Sequence, residues 1–138
     1  MRIKLERVNK AVHLKATNED KSEIHIDGAP AIGGENAGFR PMQLLLAGIG
    51  SCGTMDIISI LKKQRQDLED IQILVDGERE KDKTPSLFTK IHVHFILKGK
   101  LDEKKVQRAV ELSMDQYCSV SRILDKTANI SYSFEINE

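Results

Sequence analysis

The chain has 138 residues, 40% hydrophobic and 30% charged, with 21 Lys and Arg balanced by 21 Asp and Glu. That length fits a single domain spanning 1–138 with apolar material for one core. The absence of net charge leaves no basic field to gather phosphates, so nucleic acid is not an expected partner.

The N-terminus, Met1 to Arg7, alternates charged and apolar residues and lacks the hydrophobic run of a signal peptide, so a cytoplasmic protein is expected. Three short, half-buried strands follow from alternation. Ile3 and Leu5 mark the first, Val12, Leu14 and Ala16 the second, and Ile24 and Ile26 the third. The polar cluster Thr17 to Ser22 makes a hairpin loop, and Asp27-Gly28 supplies turn chemistry. A glycine-rich run, Gly33 to Arg40, then leads into a helix. It lacks G-K-[ST] and does not match the dinucleotide fingerprint.

The helix is predicted from Pro41 to Leu61, followed by the basic run Lys62-Lys63-Gln64-Arg65. Proline suits the first helical position, and cations complement the C-terminus. Its apolar residues fall on nearly every side, which requires cover all round, by protein or by lipid. Protein is the expected cover, because Asp56 at mid-helix would cost several kcal/mol in a bilayer, on the order of the insertion scales. One small sheet covers only one side of such a helix, so a second subunit related by a two-fold axis is expected on the other. Gly48, Gly50 and Gly53 surround Cys52, and each costs roughly 1 kcal/mol relative to Ala. Close approach of another backbone, a partner subunit or a substrate accounts for them; a buried, passive Cys52 is the other reading.

Beyond the helix, Ile71, Ile73 and Val75 define a strand that pairs across the loop Lys81 to Ser86 with Ile91, Val93, Phe95 and Leu97. Asp102 can cap a second helix, whose Val106, Ala109, Val110, Ser113, Met114 and Tyr117 recur at helical spacing up to Cys118. Ser119 or Ser121 can cap a short turn, and Ile130, Tyr132, Phe134 and Ile136 form the last strand. The order βββ-α-ββ-α-β predicts an α+β domain, antiparallel sheet with two main helices packed on it.

His92 and His94 share one strand face, but no third ligand can be named, so no metal is expected there and a solvated face is the reading. No G-x-S-x-G elbow is present. Cys52 and Cys118 form no C-x-x-C or zinc grouping and do not suggest a disulfide scaffold. Nucleophilic chemistry therefore falls to these two thiols.

Gly33-Gly34-Glu35, Arg40-Pro41-Met42-Gln43-Leu44-Leu45-Leu46-Ala47-Gly48-Ile49-Gly50-Ser51-Cys52, Asp56 and Leu61 to Arg65 resemble the first cysteine motif of the osmotically inducible and organic-hydroperoxide-resistance (OsmC/Ohr) family. Glu111-Leu112-Ser113 and Tyr117-Cys118-Ser119-Val120-Ser121 resemble the second. The resemblance implies an intertwined homodimer with sites at the interface and no cofactor. It also implies a thiol peroxidase in which Cys52 attacks a hydroperoxide, Cys118 resolves the sulfenic acid as a disulfide, and a small dithiol such as dihydrolipoamide reduces it. Met42 stands where the family's peroxidases carry a glutamate, and their N-terminal arginine has no assigned counterpart among Arg2, Arg7 and the nearby Lys10.

A reactive thiolate needs a cation or a helix N-terminus, and Cys52 lies some three turns into its helix, beyond the reach of the dipole. Asp56, one turn on, opposes the thiolate unless it holds an arginine. Arg79, Arg40 and Arg122 are the candidate cations, Arg79 first because its strand can lie across the helix. The alternative to the peroxidase is a dimer whose pocket, lined by Met42, Leu45, Ile49 and Met55, binds a small apolar or oxidised molecule while the cysteines stay passive or sense oxidation.

Overall fold

The computed structural model describes Met1–Glu138, every residue of the chain. Two compact units divide it, Met1–Leu45 and Leu46–Glu138.

In the first unit, β1 (Lys4–Arg7), β2 (Leu14–Thr17) and β3 (Glu23–Ile26) form an antiparallel sheet in that order. Ala16 sits between Leu5 and Ile24 in register, and it is the buried member of the three. Contrary to the half-buried pattern predicted from its alternation, β1 is exposed along its whole length. The hairpin loop closes as its composition demands, with Asn18 Oδ1 accepting from the Ser22 N–H at 2.9 Å.

Asp27, read from the sequence as a turn residue, has a larger part. It is almost completely buried, and its carboxylate accepts from the N–H groups of Gly28 at 2.8 Å, Glu35 at 2.9 Å and Ala37 at 3.1 Å. The glycine-rich run is thereby folded around one acid. Gly34 passes so close to the Gly28 carbonyl that no Cβ fits between them. The bonds from Glu35 and Ala37, and then that from Gly28, hold the Asp27 carboxyl below its ordinary range against the opposing effect of burial.

Helix α1 (Pro41–Lys63) starts in this unit and runs on through the second. Pro41 occupies its first turn, and the Gln43 side chain reaches back to accept the Arg40 N–H at 2.9 Å, half of a capping box.

The second unit holds a sheet in the order β4 (Asp70–Arg79), β5 (Phe88–Lys98), β6 (Asn129–Asn137). β4 and β5 are the antiparallel hairpin expected from the sequence, with Ile73 opposite Phe95. β6 departs from the expected antiparallel arrangement: it lies parallel to β5, Phe95 beside Phe134. The helical segment between them is the long crossover that parallel pairing requires, so the sheet is mixed.

That crossover begins with α2 (Glu103–Leu112), capped by Asp102 through the N–H groups of Lys104 and Lys105. The second helix does not continue to Cys118 as its periodicity suggests. It gives way to a π-turn at Ser113–Tyr117, in which the Cys118 N–H donates to the Ser113 carbonyl at 2.8 Å. A short helix, α3 (Ser119–Leu124), follows. Tyr132 on β6 ties the turn down by donating its hydroxyl to Asp115 at 2.9 Å.

The core of this unit is built from Ile91, Val93, Phe95 and Leu97 of β5, Ile49, Ile57 and Leu61 of α1, and Val106 and Val110 of α2, none more than 1% exposed. Each such side chain contributes roughly 1.5–3 kcal/mol by burial. By length and composition α1 could cross a membrane, yet its inner face serves a protein core. Gly50 faces Val75 and Ile73 of β4, and Gly53 faces Met114 and Phe95. The outer face stays uncovered within the chain, with Met55 69% and Ile58 44% exposed.

Candidate functional site

The π-turn is what brings the second cysteine to the helix of the first. By inserting a residue into the end of α2 it rotates Cys118 out of the helical register and onto α1. A buried hydrogen bond fastens the junction, the Ser113 hydroxyl donating to the Gly53 carbonyl at 2.9 Å. Gly53 can take no side chain there without moving Met114, because a Cβ would come within 2.9 Å of its sulfur. The glycine next to Cys52 is thus explained by close approach of the segment that carries Cys118.

Cys118 is 3% exposed, whereas Cys52 is half-buried; both are free thiols. The Cys118 sulfur caps α3, accepting from the Ser121 N–H at 3.4 Å, and lies 4.0 Å from the Ile49 carbonyl of α1. The sequence suggested Ser119 or Ser121 for this cap; Cys118 itself fills it. Cys52 is near enough to Cys118 to influence its titration, and no hydrogen bond joins the two sulfurs. Burial, partly offset by the Ser121 N–H and reinforced by the neighbouring Cys52 thiol, pushes the Cys118 thiol up to about 11. At neutral pH Cys118 therefore keeps its proton, and the half-exposed Cys52 is the accessible sulfur.

No lysine or arginine hydrogen-bonds either sulfur. The Arg79 guanidinium donates to the Ser86 carbonyl at 3.1 and 3.0 Å, bracing the β4–β5 hairpin. Arg40, in the first unit, is joined to Asn36 Oδ1 at 2.6 Å. Arg122 is exposed on α3. Asp56 holds no arginine either: its Oδ2 is buried and has no hydrogen-bond partner.

Of the apolar residues assigned to a pocket, Ile49 is completely buried, Met55 and Leu45 are exposed, and Met42 is half-buried. A cleft of about 490 Å³ lies further along α1, lined by Asp56, Ser59, Ile60, Lys63 and Gln64 with Tyr117 of the π-turn. His92 and His94 bond to the hydroxyls of Ser131 and Ser133 on the outer face of the sheet, His94 Nδ1 at 2.6 Å from Ser133.

The α+β fold, with a glycine-flanked cysteine on a central helix and a second cysteine brought against it, can be set beside known proteins. The OsmC-like protein family matches residues 33–133, and the chain belongs to that family. Protein YhfA of Escherichia coli K12 is 43% identical over 97 residues, 70% of this chain and 72% of that protein. The crystal structure of a hypothetical protein from Aquifex aeolicus VF5 superposes with a TM-score of 0.85 at 34% identity, covering 99% of this chain and 95% of that one. The organic hydroperoxide resistance protein OhrB of Bacillus subtilis shares the fold, with a TM-score of 0.64, 23% identity and 98% of both chains covered.

Proposed function

We propose that the chain is a two-cysteine thiol redox protein that reduces hydroperoxides, working in the cytoplasm as a homodimer of single-domain subunits. The observation that carries this reading is the seating of the buried Cys118 against the helix that bears the more accessible Cys52, its sulfur 4.0 Å from the Ile49 carbonyl, by a π-turn and the Ser113–Gly53 hydrogen bond. The hydroperoxide-resistance proteins that share the fold support the choice of oxidant. The Cys52 thiolate attacks the terminal peroxide oxygen, the O–O bond breaks, and the alcohol leaves with a proton. The Cys118 sulfur then attacks the sulfur of the resulting sulfenic acid, its S–O bond breaks, hydroxide leaves with the Cys118 proton as water, and a disulfide remains for a small dithiol to reduce. The uncovered outer face of α1, with Met55 and Ile58, is the surface a second subunit would cover.

Two observations favour a second reading, a ligand-binding dimer whose cysteines are passive or sense oxidation. Neither sulfur has a cationic partner, and Met42 stands in place of the family peroxidases' glutamate. Stopped-flow consumption of cumene hydroperoxide by reduced protein separates the two. The peroxidase reading expects rapid loss of both thiols with a mass decrease of two hydrogens. It expects no consumption by Cys52→Ser, and a sulfenic acid trappable by dimedone in Cys118→Ser. A wild-type rate equal to that of a free thiol would leave the ligand-binding reading.

A further inference from the structure

The two-cysteine chemistry makes no use of the outer face of the second sheet. Val93, Phe95 and Leu97 of β5 are buried on its inner face, so His92 and His94 stand on the opposite one, with Ser131, Ser133 and Glu135 of β6 on the same side. Helix α1 packs on the inner face, through Gly50 on Ile73 and Val75 and Gly53 near Phe95. A second subunit on the far side of α1 therefore leaves the histidines open.

Five side chains there make one chain of contacts. His92 Nδ1 lies 2.7 Å from Ser131 Oγ, His92 Nε2 2.8 Å from Ser133 Oγ, His94 Nδ1 2.6 Å from the same Oγ, and His94 Nε2 3.7 Å from Glu135 Oε1. The carboxylate sets the direction of the chain. It favours the His94 proton on Nε2, which leaves Nδ1 to accept from the Ser133 hydroxyl; the reverse order would turn an imidazole lone pair towards Glu135. With its own proton directed at His94, the Ser133 oxygen accepts from His92 Nε2–H, and His92 Nδ1 accepts from Ser131. Ser133 thus has a base in hydrogen-bond reach and a carboxylate behind that base, the relation that activates a hydroxyl. Paired strands hold both partners, a firmer support than a loop. Leu74, opposite His94 on β4 and 57% exposed, and the half-buried Ile96 add apolar surface beside them.

We propose that Ser133 is a second nucleophile of the protein, with His94 as its base, and that it accepts acyl groups from small activated esters. Ser133 Oγ attacks the acyl carbon as its proton passes to His94 Nδ1. The bond to the leaving oxygen then breaks, the leaving alcohol takes that proton, and Ser133 keeps the acyl group as an ester. His92 Nε2–H, directed at Oγ, is a donor beside the acyl oxygen as it gains charge. Neither thiol takes part, so the site stands or falls apart from the redox reading.

The reduced protein, treated at pH 7.5 with p-nitrophenyl acetate and separately with diisopropyl fluorophosphate, tests this by peptide mapping of the serine esters formed. Acetylated thiols are located by the same maps and stay out of the comparison. Ser22 and Ser59, both exposed and bonded to no histidine, are the internal references. The expected result is modification of Ser133 at least about tenfold faster than either, an advantage lost in His94→Ala and restored in part by added imidazole. Equal rates at the three serines would overturn the proposal, as would an advantage that survives His94→Ala, or acetyl held on His94 with none reaching Ser133. If His94→Ala fails to fold, His94→Gln, which keeps a polar side chain without a base, takes its place.

Discussion

Two aspartates, one in each unit, show how differently a buried carboxylate oxygen can be treated. Asp27 is nearly inaccessible and has three backbone N–H donors within 3.1 Å. Asp56 has a buried oxygen with no donor at all. The first is a satisfied carboxylate that organises a loop, and its cost of burial is met inside the fold. The second carries a cost the fold does not offset. The first is an acid kept for shape; the second finds no donor within the chain.

Neutralising each acid is the strongest way to break the comparison. Asp27→Asn keeps the shape but replaces a charged acceptor of three N–H bonds with a weaker amide that must also place an NH₂ among donors. It is expected to lower the urea midpoint more than any other change considered. Asp56→Asn removes a charge that nothing pairs, so it should leave the midpoint unchanged or raise it, within about 1 kcal/mol. If Asp56→Asn were the more damaging, the carboxylate would have a structural partner and the contrast would collapse.

Acid titration sharpens the same point. Because the folded Asp27 carboxyl lies below its ordinary value of 3.8, the folded chain binds that proton less readily than the unfolded chain does. Its stabilisation is present above the unfolded value and is lost as pH falls through the folded one. Urea midpoints between pH 5 and pH 2 should therefore fall more steeply in wild type than in Asp27→Asn, and parallel curves would remove Asp27 from the account.

Cys118 is another buried titratable group, and its sign is opposite to that of Asp27. The folded thiol is pushed from 9.0 to about 11, so above pH 9 the unfolded chain releases a proton that the folded chain retains. Stability is unaffected below pH 9 and is lost between pH 9 and 11, by an amount on the order of 2 kcal/mol. Cys118→Ala should lose this alkaline limb. Iodoacetamide at pH 8 should label Cys52 well before Cys118, and equal labelling would mean that Cys118 is not held protonated by burial.

Much of this was legible in the chain because it rests on local rules. Alternation located β2 to β6, and Asp102 and Pro41 announced the starts of α2 and α1. What the sequence concealed depends on contacts between distant residues. Nothing near Ser113 signals a π-turn, since the helical period continues through Met114 and Tyr117; the turn answers to the Ser113–Gly53 bond, made 60 residues away. The direction of β6 follows from the crossover, which alternation does not encode. Asp27 looked like turn punctuation because its donors at Glu35 and Ala37 are 8 and 10 residues on. The exposure of Asp56 to a like-charged thiolate was readable from the i, i+4 spacing, but its lack of a partner was not.

The smallest expected effects extend the comparison from acids to glycines, again by asking what surrounds the position. A Cβ on Gly48 would meet only Val120 Cγ1, at 3.6 Å, an ordinary contact. Gly48→Ala should therefore gain the helix propensity that glycine forgoes, up to about 1 kcal/mol, visible as a raised urea midpoint with an unchanged slope. At Gly53 the same methyl would come within 2.9 Å of Met114 Sδ and 3.5 Å of Phe95 Cζ, beneath the turn that carries Cys118. Methionine is flexible and can yield, so Gly53→Ala should remain folded, with most of the propensity gain cancelled and Met114 displaced. That displacement loosens the seat of Cys118, so disulfide formation with Cys52 should slow in Gly53→Ala and not in Gly48→Ala. Equal rates in the two variants would show that the two thiols meet without help from the tight approach at Gly53.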